Sequence, residues 1–337
     1  MARRSAPSQP RRGATLLRLG AVAVGMAMGA GLIGVLWPIG DRATEPVQQL
    51  TPADLAKPPS RSITLLVIGL DSERPGDPLN KAAPRGAANA DALLLVRVNP
   101  QGPLQVLSLP PNLAVQLPGQ KRPQSLGSLY RIGGVALTAD AVRNLVGLDS
   151  GQPARFLVLG RSNLRSLVDG LGSIAANPTL ALRYNDKSQR FSINLQGGLQ
   201  RLKGNQVEQL VRYRDPDRPE ESRQDNQTLV VRSLLRELAM PEQLGQLANL
   251  LKSLNNQGVV TNLSQPETLS LLAAGLDQAE SVQFTSLPLA PAPEPAPAPE
   301  PEQEPNSSRG TKLSLREISS SAPEPLWPAA TNSTAQQ

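Results

Sequence analysis

Arg212, Arg214, Arg223 and Gln227 are the side chains of this 337-residue chain whose types and spacing point most directly to chemistry. Arg212 and Arg214 flank Tyr213. Alternate residues of a strand share a face, so the triplet predicts a strand presenting both guanidinium groups on one side. Ser222-x-x-Asp225 has the form of a capping box, with Asp in the usual Glu or Gln place, and predicts a helix start. Val230, Val231, Leu234, Leu235 and Leu238 continue with helical spacing. Arg223 would then lie on the first turn, where unpaired N–H groups and the helix dipole favour anions. Gln227 falls one turn further on the same face. Three guanidinium groups converging on a helix N-terminus suit a phosphate or pyrophosphate. The same spacing is equally compatible with solvated surface arginines.

Two aspartates make a second constellation. Asp71 ends an apolar run, Ile68-Gly69-Leu70-Asp71, and Asp91 directly precedes another. If those strands pair antiparallel, the end of one lies beside the start of the other, and both carboxylates share one sheet edge. There they could hold Mg²⁺ through carboxylate and water oxygens. Alternatively, each caps a turn. Magnesium with arginine is a recurring apparatus of phosphoryl chemistry, which favours the metal reading.

The elements that must position these groups are legible as hydrophobic patterns. Residues 63–70, 92–98 and 104–109 are apolar runs expected of strands buried on both faces. Residues 135–147 and 161–171 read as helices and 156–159 as a strand. Residues 179–184 and 190–195 alternate around Asn185-Asp186 and predict a hairpin. A helix over 203–211 leads into the Arg-Tyr-Arg triplet. After the helix that starts at Arg223, residues 242–254 and 266–276 look helical, and 282–287 forms a last strand. Mixed helices and strands of this order predict an α/β fold, an α-β-α sandwich around a mixed central sheet.

Composition narrows the chemistry further. The chain has no Cys and no His, which excludes disulfides, thiol nucleophiles, imidazole bases and His or Cys metal sites. Aromatic residues make up 2%, too few for single-stranded nucleic-acid binding by base stacking. The formal charge of +6 owes most to Arg3, Arg4, Arg11, Arg12 and Arg18, so it reports a basic arm over residues 1–18. Residues 19–39 carry no charge and are long enough to cross a bilayer core of about 30 Å. Arginines before that segment predict a single-pass topology, with a cytoplasmic N-terminus and everything after residue 40 outside. Residues 40–60 read as a linker and 61–287 as the main domain. From Pro288 to Gln337 a proline-rich spacer and a Ser/Asn-rich remainder predict a disordered tail.

In order and spacing these pieces resemble the LytR-CpsA-Psr family over residues 60–290. The matching pieces are Leu65-Leu66-Val67-Ile68-Gly69-Leu70-Asp71, Ala90-Asp91-Ala92-Leu93-Leu94-Leu95 and Ser108-Leu109-Pro110. They continue with Tyr130-x-x-Gly133-Gly134, Leu167-Val168-Asp169-Gly170-Leu171-Gly172 and Leu202-x-Gly204. Arg212-Tyr213-Arg214, Arg223, Gln227 and Val260-Thr261-Asn262-Leu263-Ser264 complete the set. The resemblance implies a membrane-anchored extracytoplasmic phosphotransferase. It would move a glycopolymer from a polyprenyl-pyrophosphate carrier to peptidoglycan, with pyrophosphatase activity where water attacks. Asp71 and Asp91 would be the magnesium-side carboxylates, and Arg212, Arg214, Arg223 and Gln227 would bind pyrophosphate. Three family arginines are replaced, by Pro111-Asn112, Asn89 and Asn226. Arg74 or Arg85, between the aspartates, is then the expected substitute, and Arg85 the expected third catalytic residue. The alternative is a non-catalytic protein of envelope assembly that binds lipid phosphate. Transcriptional control is disfavoured, because there is no basic recognition helix and the domain lies outside the cytoplasm.

Overall fold

The computed structural model describes residues 59–78, 86–186, 191–291 and 314–328. All of them fall in the second of the chain's two units, residues 50–337. The expected basic arm and membrane segment lie outside the described residues, as does Arg85. Among the described residues no helix is long and apolar enough to cross a membrane.

Strands β1 (Ile63–Leu70), β2 (Ala90–Val98) and β3 (Gln105–Leu109) form an antiparallel meander. A short ribbon, β4 (Ala114–Val115) with β5 (Gln124–Ser125), leads to helix α1 (Ser128–Val146). β6 (Arg155–Leu159) adds parallel to β1 and runs into α2 (Arg161–Gly170). β7 (Ile174–Ala176) pairs with β10 (Gln200–Leu202), and between them lies the hairpin of β8 (Leu182–Asp186) and β9 (Phe191–Leu195). Helices α3 (Gly204–Arg212), α4 (Pro219–Leu238), α5 (Pro241–Leu244) and α6 (Leu247–Asn256) follow. β11 (Val260–Thr261) returns to β6, and after α7 (Gln265–Asp277) the last strand, β12 (Gln283–Ser286), joins β3 in parallel. The completed central sheet has the order β11-β6-β1-β2-β3-β12 and mixes parallel and antiparallel neighbours, as expected of a mixed α/β fold.

Alternation decides which side each strand residue serves. Leu66, Ile68, Leu93, Leu95 and Leu107 pack with Leu129, Ala141 and Val142 of α1. Leu94, Val96 and Val106 turn to the other face and meet Leu271 and Ala274 of α7. Each fully buried Leu or Ile contributes about 1.5–3 kcal/mol. A one-residue slip would exchange the two faces, so register is strongly specified. That register sets Leu70 opposite Ala90, with an irregularity between Gly69 and Leu70. The Asp71 N–H then donates to the Asn89 carbonyl at 3.1 Å. A separate apolar cluster, including Val168, Ile174, Leu202, Val207, Leu210 and Val230, packs α2, α3 and α4 together.

The expected helix from residue 135 is preceded by a shorter helical segment from Ser128. Gly133 and Gly134 leave helical geometry between the two segments, and Gly134 takes φ 63°, a value glycine adopts without strain. Gly147, at φ 72° and ψ 41°, then closes the helix with a left-handed cap.

The expectation of a disordered tail over 288–337 needs correction for one part of it. Leu289 pairs antiparallel with Ile318, and Leu113 pairs in parallel with Arg316. Trp327 is 3% exposed in the core cluster beneath α1, with Ile318 and Leu326 beside it. The Arg97 guanidinium stacks over the Trp327 ring at 3.9 Å and also bonds the Pro328 carbonyl. Proline-rich composition set the expectation, but the apolar residues between 315 and 327 have a surface to bury against. Residues 292–313 and 329–337 lie outside the described residues. Truncating Trp327 to Ala should lower stability by about 3–5 kcal/mol, as for other large buried aromatics. Urea unfolding checks this, and an unchanged midpoint would mean that the segment is not docked.

Candidate functional site

Arg212 ends helix α3 and does not lie on a strand. Val207 and Leu210 bury the apolar face of that helix, and Tyr213 leaves it at φ −64° and ψ 138°. The Arg-x-Arg alternation thus marks a helix end and the first residues beyond it. Arg212 sits one turn after Glu208 and donates to Glu208 Oε1 at 3.1 Å, while its guanidinium covers the Phe191 ring at 3.6 Å. A cation in the last turn is also favoured by the helix dipole.

The start of α4 differs from the expected capping box. Pro219 occupies the first helical position, which suits its fixed φ and missing donor. Glu220 and Glu221 fill the first turn. Ser222 therefore lies inside the helix, and its Oγ accepts the Asp215 N–H at 2.8 Å. Arg223 falls beyond the first turn and is 2% exposed. It donates to Asp91 Oδ1 at 2.5 Å and to Glu220 Oε2 at 3.2 Å. Arg214 bonds the other Glu220 oxygen and lies 3.9 Å from Asp91 Oδ1. Gln227 Nε2 reaches the Asp91 carbonyl at 3.4 Å, on the Arg223 face as expected. The guanidinium groups do converge, but on carboxylates of the protein itself.

Both aspartates stand where antiparallel pairing of β1 and β2 puts them. Asp71 Oδ1 accepts the Asn89 N–H at 2.9 Å, and Oδ2 accepts from Asn89 Nδ2 at 3.3 Å. Burial raises its pKa above the ordinary Asp value. The Asn89 bonds oppose that rise, and the nearby charge of Asp91 adds to it. Asp91 behaves in the opposite way. Burial works against its charge, but Arg223 and then Arg214 outweigh it, so its pKa lies below the usual value. Its side chain is 40% exposed, and its ion pairs all use Oδ1. Among the described residues no group of three acidic side chains could enclose a metal. Mg²⁺ in general needs only one or two carboxylates, with waters and phosphate oxygens completing its shell.

Sequence reasoning missed a second set of ion pairs beside the first. Arg161 Nη2 lies 3.0 Å from Glu73 Oε1, and Nη1 lies 3.4 Å from Glu208 Oε1. Arg165 pairs with the same two carboxylates. The signal was present as Arg161-x-x-x-Arg165 and Glu208-x-x-x-Arg212, each a one-turn spacing on a helix face. Burial disfavours the charged forms of both Glu73 and Arg165, yet their pairing prevails. It lowers the pKa of Glu73 and raises that of Arg165. Gly160 brings this set close to Asp71. A Cβ there would meet the Glu73 carbonyl at 2.4 Å, and the Arg161 N–H donates to the Ser72 carbonyl at 2.9 Å.

Of the expected substitute arginines, Arg74 is exposed, and its guanidinium forms no ion pair among the described residues. The docked C-terminal residues reach the Pro111-Asn112 segment through their backbone, while the Arg316 guanidinium turns to Glu221 and the Ala290 carbonyl. Arg316 donates its backbone N–H to the Asn112 carbonyl at 3.0 Å, and its Nη2 bonds Glu221 Oε1 at 3.1 Å.

A profile of the LytR_cpsA_psr family matches residues 41–297. The chain belongs to this family. Among curated relatives, a polyisoprenyl-teichoic acid--peptidoglycan teichoic acid transferase TagU of Bacillus licheniformis is 26% identical over 203 residues. The match spans 60% of this chain and 60% of that relative's length. An Enterococcus faecalis protein of the same name is 24% identical over 242 residues, 71% of this chain and 74% of that one. The crystal structure of B. subtilis TagV superposes with a TM-score of 0.55 at 16% identity, covering 68% of this chain and 85% of that chain. A Streptococcus agalactiae protein gives a TM-score of 0.57 at 20% identity, covering 68% of this chain and 79% of that one. At these identities the two structures speak for the fold alone.

The ion pairs differ in burial, and so in what their loss should cost. Arg223 and Glu220 are both 2% exposed, and breaking such a pair costs about 3–5 kcal/mol. Arg212 is 17% exposed, and Glu208 would keep Arg161 and Arg165. Arg223→Ala should therefore destabilise the domain by about 3 kcal/mol and Arg212→Ala by about 1 kcal/mol. Denaturant midpoints at matched m-values check the order, and equal midpoints would contradict it.

Proposed function

We propose that this chain is a phosphotransferase of the cell envelope. It moves a glycopolymer from a polyprenyl-pyrophosphate carrier to peptidoglycan on the outer side of the membrane that anchors it. The observation that carries this reading is one juxtaposition. Asp71 and Asp91 share a sheet edge, and Arg214 and Arg223 close on Asp91 from α4 and the chain before it. Family membership and the activity for which the TagU relatives are named support the same chemistry.

In this proposal the pyrophosphate lies across Arg212, Arg214, Arg223 and Gln227. A hydroxyl of the acceptor attacks the phosphorus that carries the glycan. The bond from that phosphorus to the bridging oxygen breaks, and its electron pair leaves with the prenyl phosphate. The hydroxyl proton is released. Water in place of the acceptor gives a weak pyrophosphatase side reaction. Mg²⁺ held by Asp71 and Asp91 would offset the charge on the phosphate oxygens and assist the leaving phosphate. Asn89 fixes both Asp71 oxygens, and Arg223 holds Asp91 ionised, so the two carboxylates are oriented before any ligand arrives.

The charge balance favours a metal-dependent reaction. Arg161, Arg165, Arg212, Arg214 and Arg223 face Asp71, Glu73, Asp91, Glu208 and Glu220, so the group is neutral when all are ionised. A pyrophosphate diester adds two negative charges, which one divalent cation offsets.

The test uses the full chain in detergent or vesicles with a polyprenyl-pyrophosphate glycan. Magnesium-dependent transfer, lost in Asp71→Ala, is the expected result. An unchanged rate in excess EDTA would remove the metal from the account. Binding without turnover of any carrier-linked substrate would favour the alternative, a non-catalytic protein that holds lipid phosphate during envelope assembly.

A further inference from the structure

β3 and β12 run side by side as far as Ser108 and Ser286, and their pairing ends there. Residues 316–319 lie between the chains that continue them. On one side the Arg316 N–H donates to the Asn112 carbonyl at 3.0 Å, and the Arg316 carbonyl accepts the Ala114 N–H at 2.8 Å. On the other side the Glu317 carbonyl accepts the Ala290 N–H at 2.9 Å, and the Ser319 N–H donates to the Pro288 carbonyl at 2.8 Å. The segment thus satisfies backbone groups of both neighbours, as an added strand does. It stands at the Asp91 end of the sheet, because Leu109 at the end of β3 pairs with Leu93 near the start of β2. The family profile ends at residue 297, so this strand lies beyond the matched region.

Arg316 turns its side chain toward α4, and that side chain is only 9% exposed. Nη2 donates to Glu221 Oε1 at 3.1 Å and to the Ala290 carbonyl at 2.8 Å, and Nε donates to the same carbonyl at 3.3 Å. Glu221 adjoins Glu220, which holds Arg214 and Arg223. Asn112 admits the strand, since its Nδ2 donates to the Ser314 carbonyl at 3.2 Å. A carboxylate in its place would set two acceptors against each other. Trp327, packed in the core further along, anchors the segment independently of Arg316.

We infer that Arg316 is a positioning residue of the site. Through Glu221 it fixes the first turn of α4, and so the places of Arg214 and Arg223. The inference rests on the functional reading above and adds to it a residue from outside the family domain. A guanidinium enclosed between a carboxylate and a carbonyl has little freedom. Without it Glu221, whose side chain is 39% exposed, loses its tie to the sheet end.

Hydrogen exchange and donor kinetics on the full chain in detergent test this. In Arg316→Ala the amides of Ser222, Arg223 and Gln224 should exchange about tenfold faster, while those of β1 and β2 hold. KM for a polyprenyl-pyrophosphate glycan should rise about tenfold at unchanged kcat, the size of one charge-assisted hydrogen bond. Arg316→Lys should recover part of both effects, and Asn112→Asp should reproduce both. In a Glu221→Ala chain, Arg316→Ala should raise KM no further, because the arginine acts through that carboxylate. Unchanged exchange at α4 in Arg316→Ala would overturn the assignment, as would additive effects in the double variant. A wild type that transfers nothing would remove the functional reading, while the exchange rates would still decide whether Arg316 sets α4.

Discussion

Asp91 on β2 and Arg223 on α4 are 132 residues apart in sequence and 2.5 Å apart in space. This ion pair joins the sheet edge to the helix that carries most of the buried polar groups of the site. Glu220 completes it from the first turn of α4, and Arg214 from the segment before that helix. The second set works the same way: Glu73 after β1 and Glu208 on α3 are bridged by Arg161 and Arg165 of α2. Charge pairing therefore fixes the mutual position of α2, α3, α4 and the β1–β2 edge. Arg214 shows the tension in this arrangement. Burial, and then the like charge of Arg223, lower its pKa despite the carboxylates that restore part of it.

That pairing has a consequence for ligands. An arginine already bonded to a buried carboxylate does not gain a full new charge interaction when a phosphate arrives, since part of it replaces an existing one. What the carboxylates contribute is placement: the guanidinium groups are ordered before binding, so less entropy is lost on contact. Pre-organised dipoles and charges of this kind are also what stabilise charge that develops during reaction. The cost falls on net charge, which the protein groups alone leave near zero. In the proposed reaction a divalent cation would restore the attraction for a dianionic ligand, so metal and anion are expected to bind together.

Much of this was legible in the sequence. The apolar runs located β1, β2, β3 and β6, and their order placed Asp71 and Asp91 at one edge before any coordinates. The spacing of Arg223 and Gln227 placed both on one helix face. Arg212-Tyr213-Arg214 was misleading because three residues cannot distinguish a period of two from the end of a helix. The real signal was the Val207 and Leu210 spacing behind it. The α4 start was misplaced because Ser222-x-x-Asp225 imitates a capping box, while Pro219-Glu220-Glu221 is the stronger start signal. Glu220 was invisible for a different reason: nothing local marks a charged residue as buried until tertiary packing supplies its partner. The same holds for Trp327, which lies in a segment rich in proline and serine but whose neighbours in space belong to the core.

The central claim is that a self-neutralised arginine site binds its pyrophosphate only together with a divalent cation. The most direct test is the thermodynamic coupling between the two ligands in the wild-type chain. Affinity for a prenyl pyrophosphate should rise at least about tenfold between EDTA and saturating Mg²⁺. Affinity for Mg²⁺ should rise by the same factor when the pyrophosphate is present, because binding linkage is reciprocal. Equal pyrophosphate affinity with and without the metal would contradict the account.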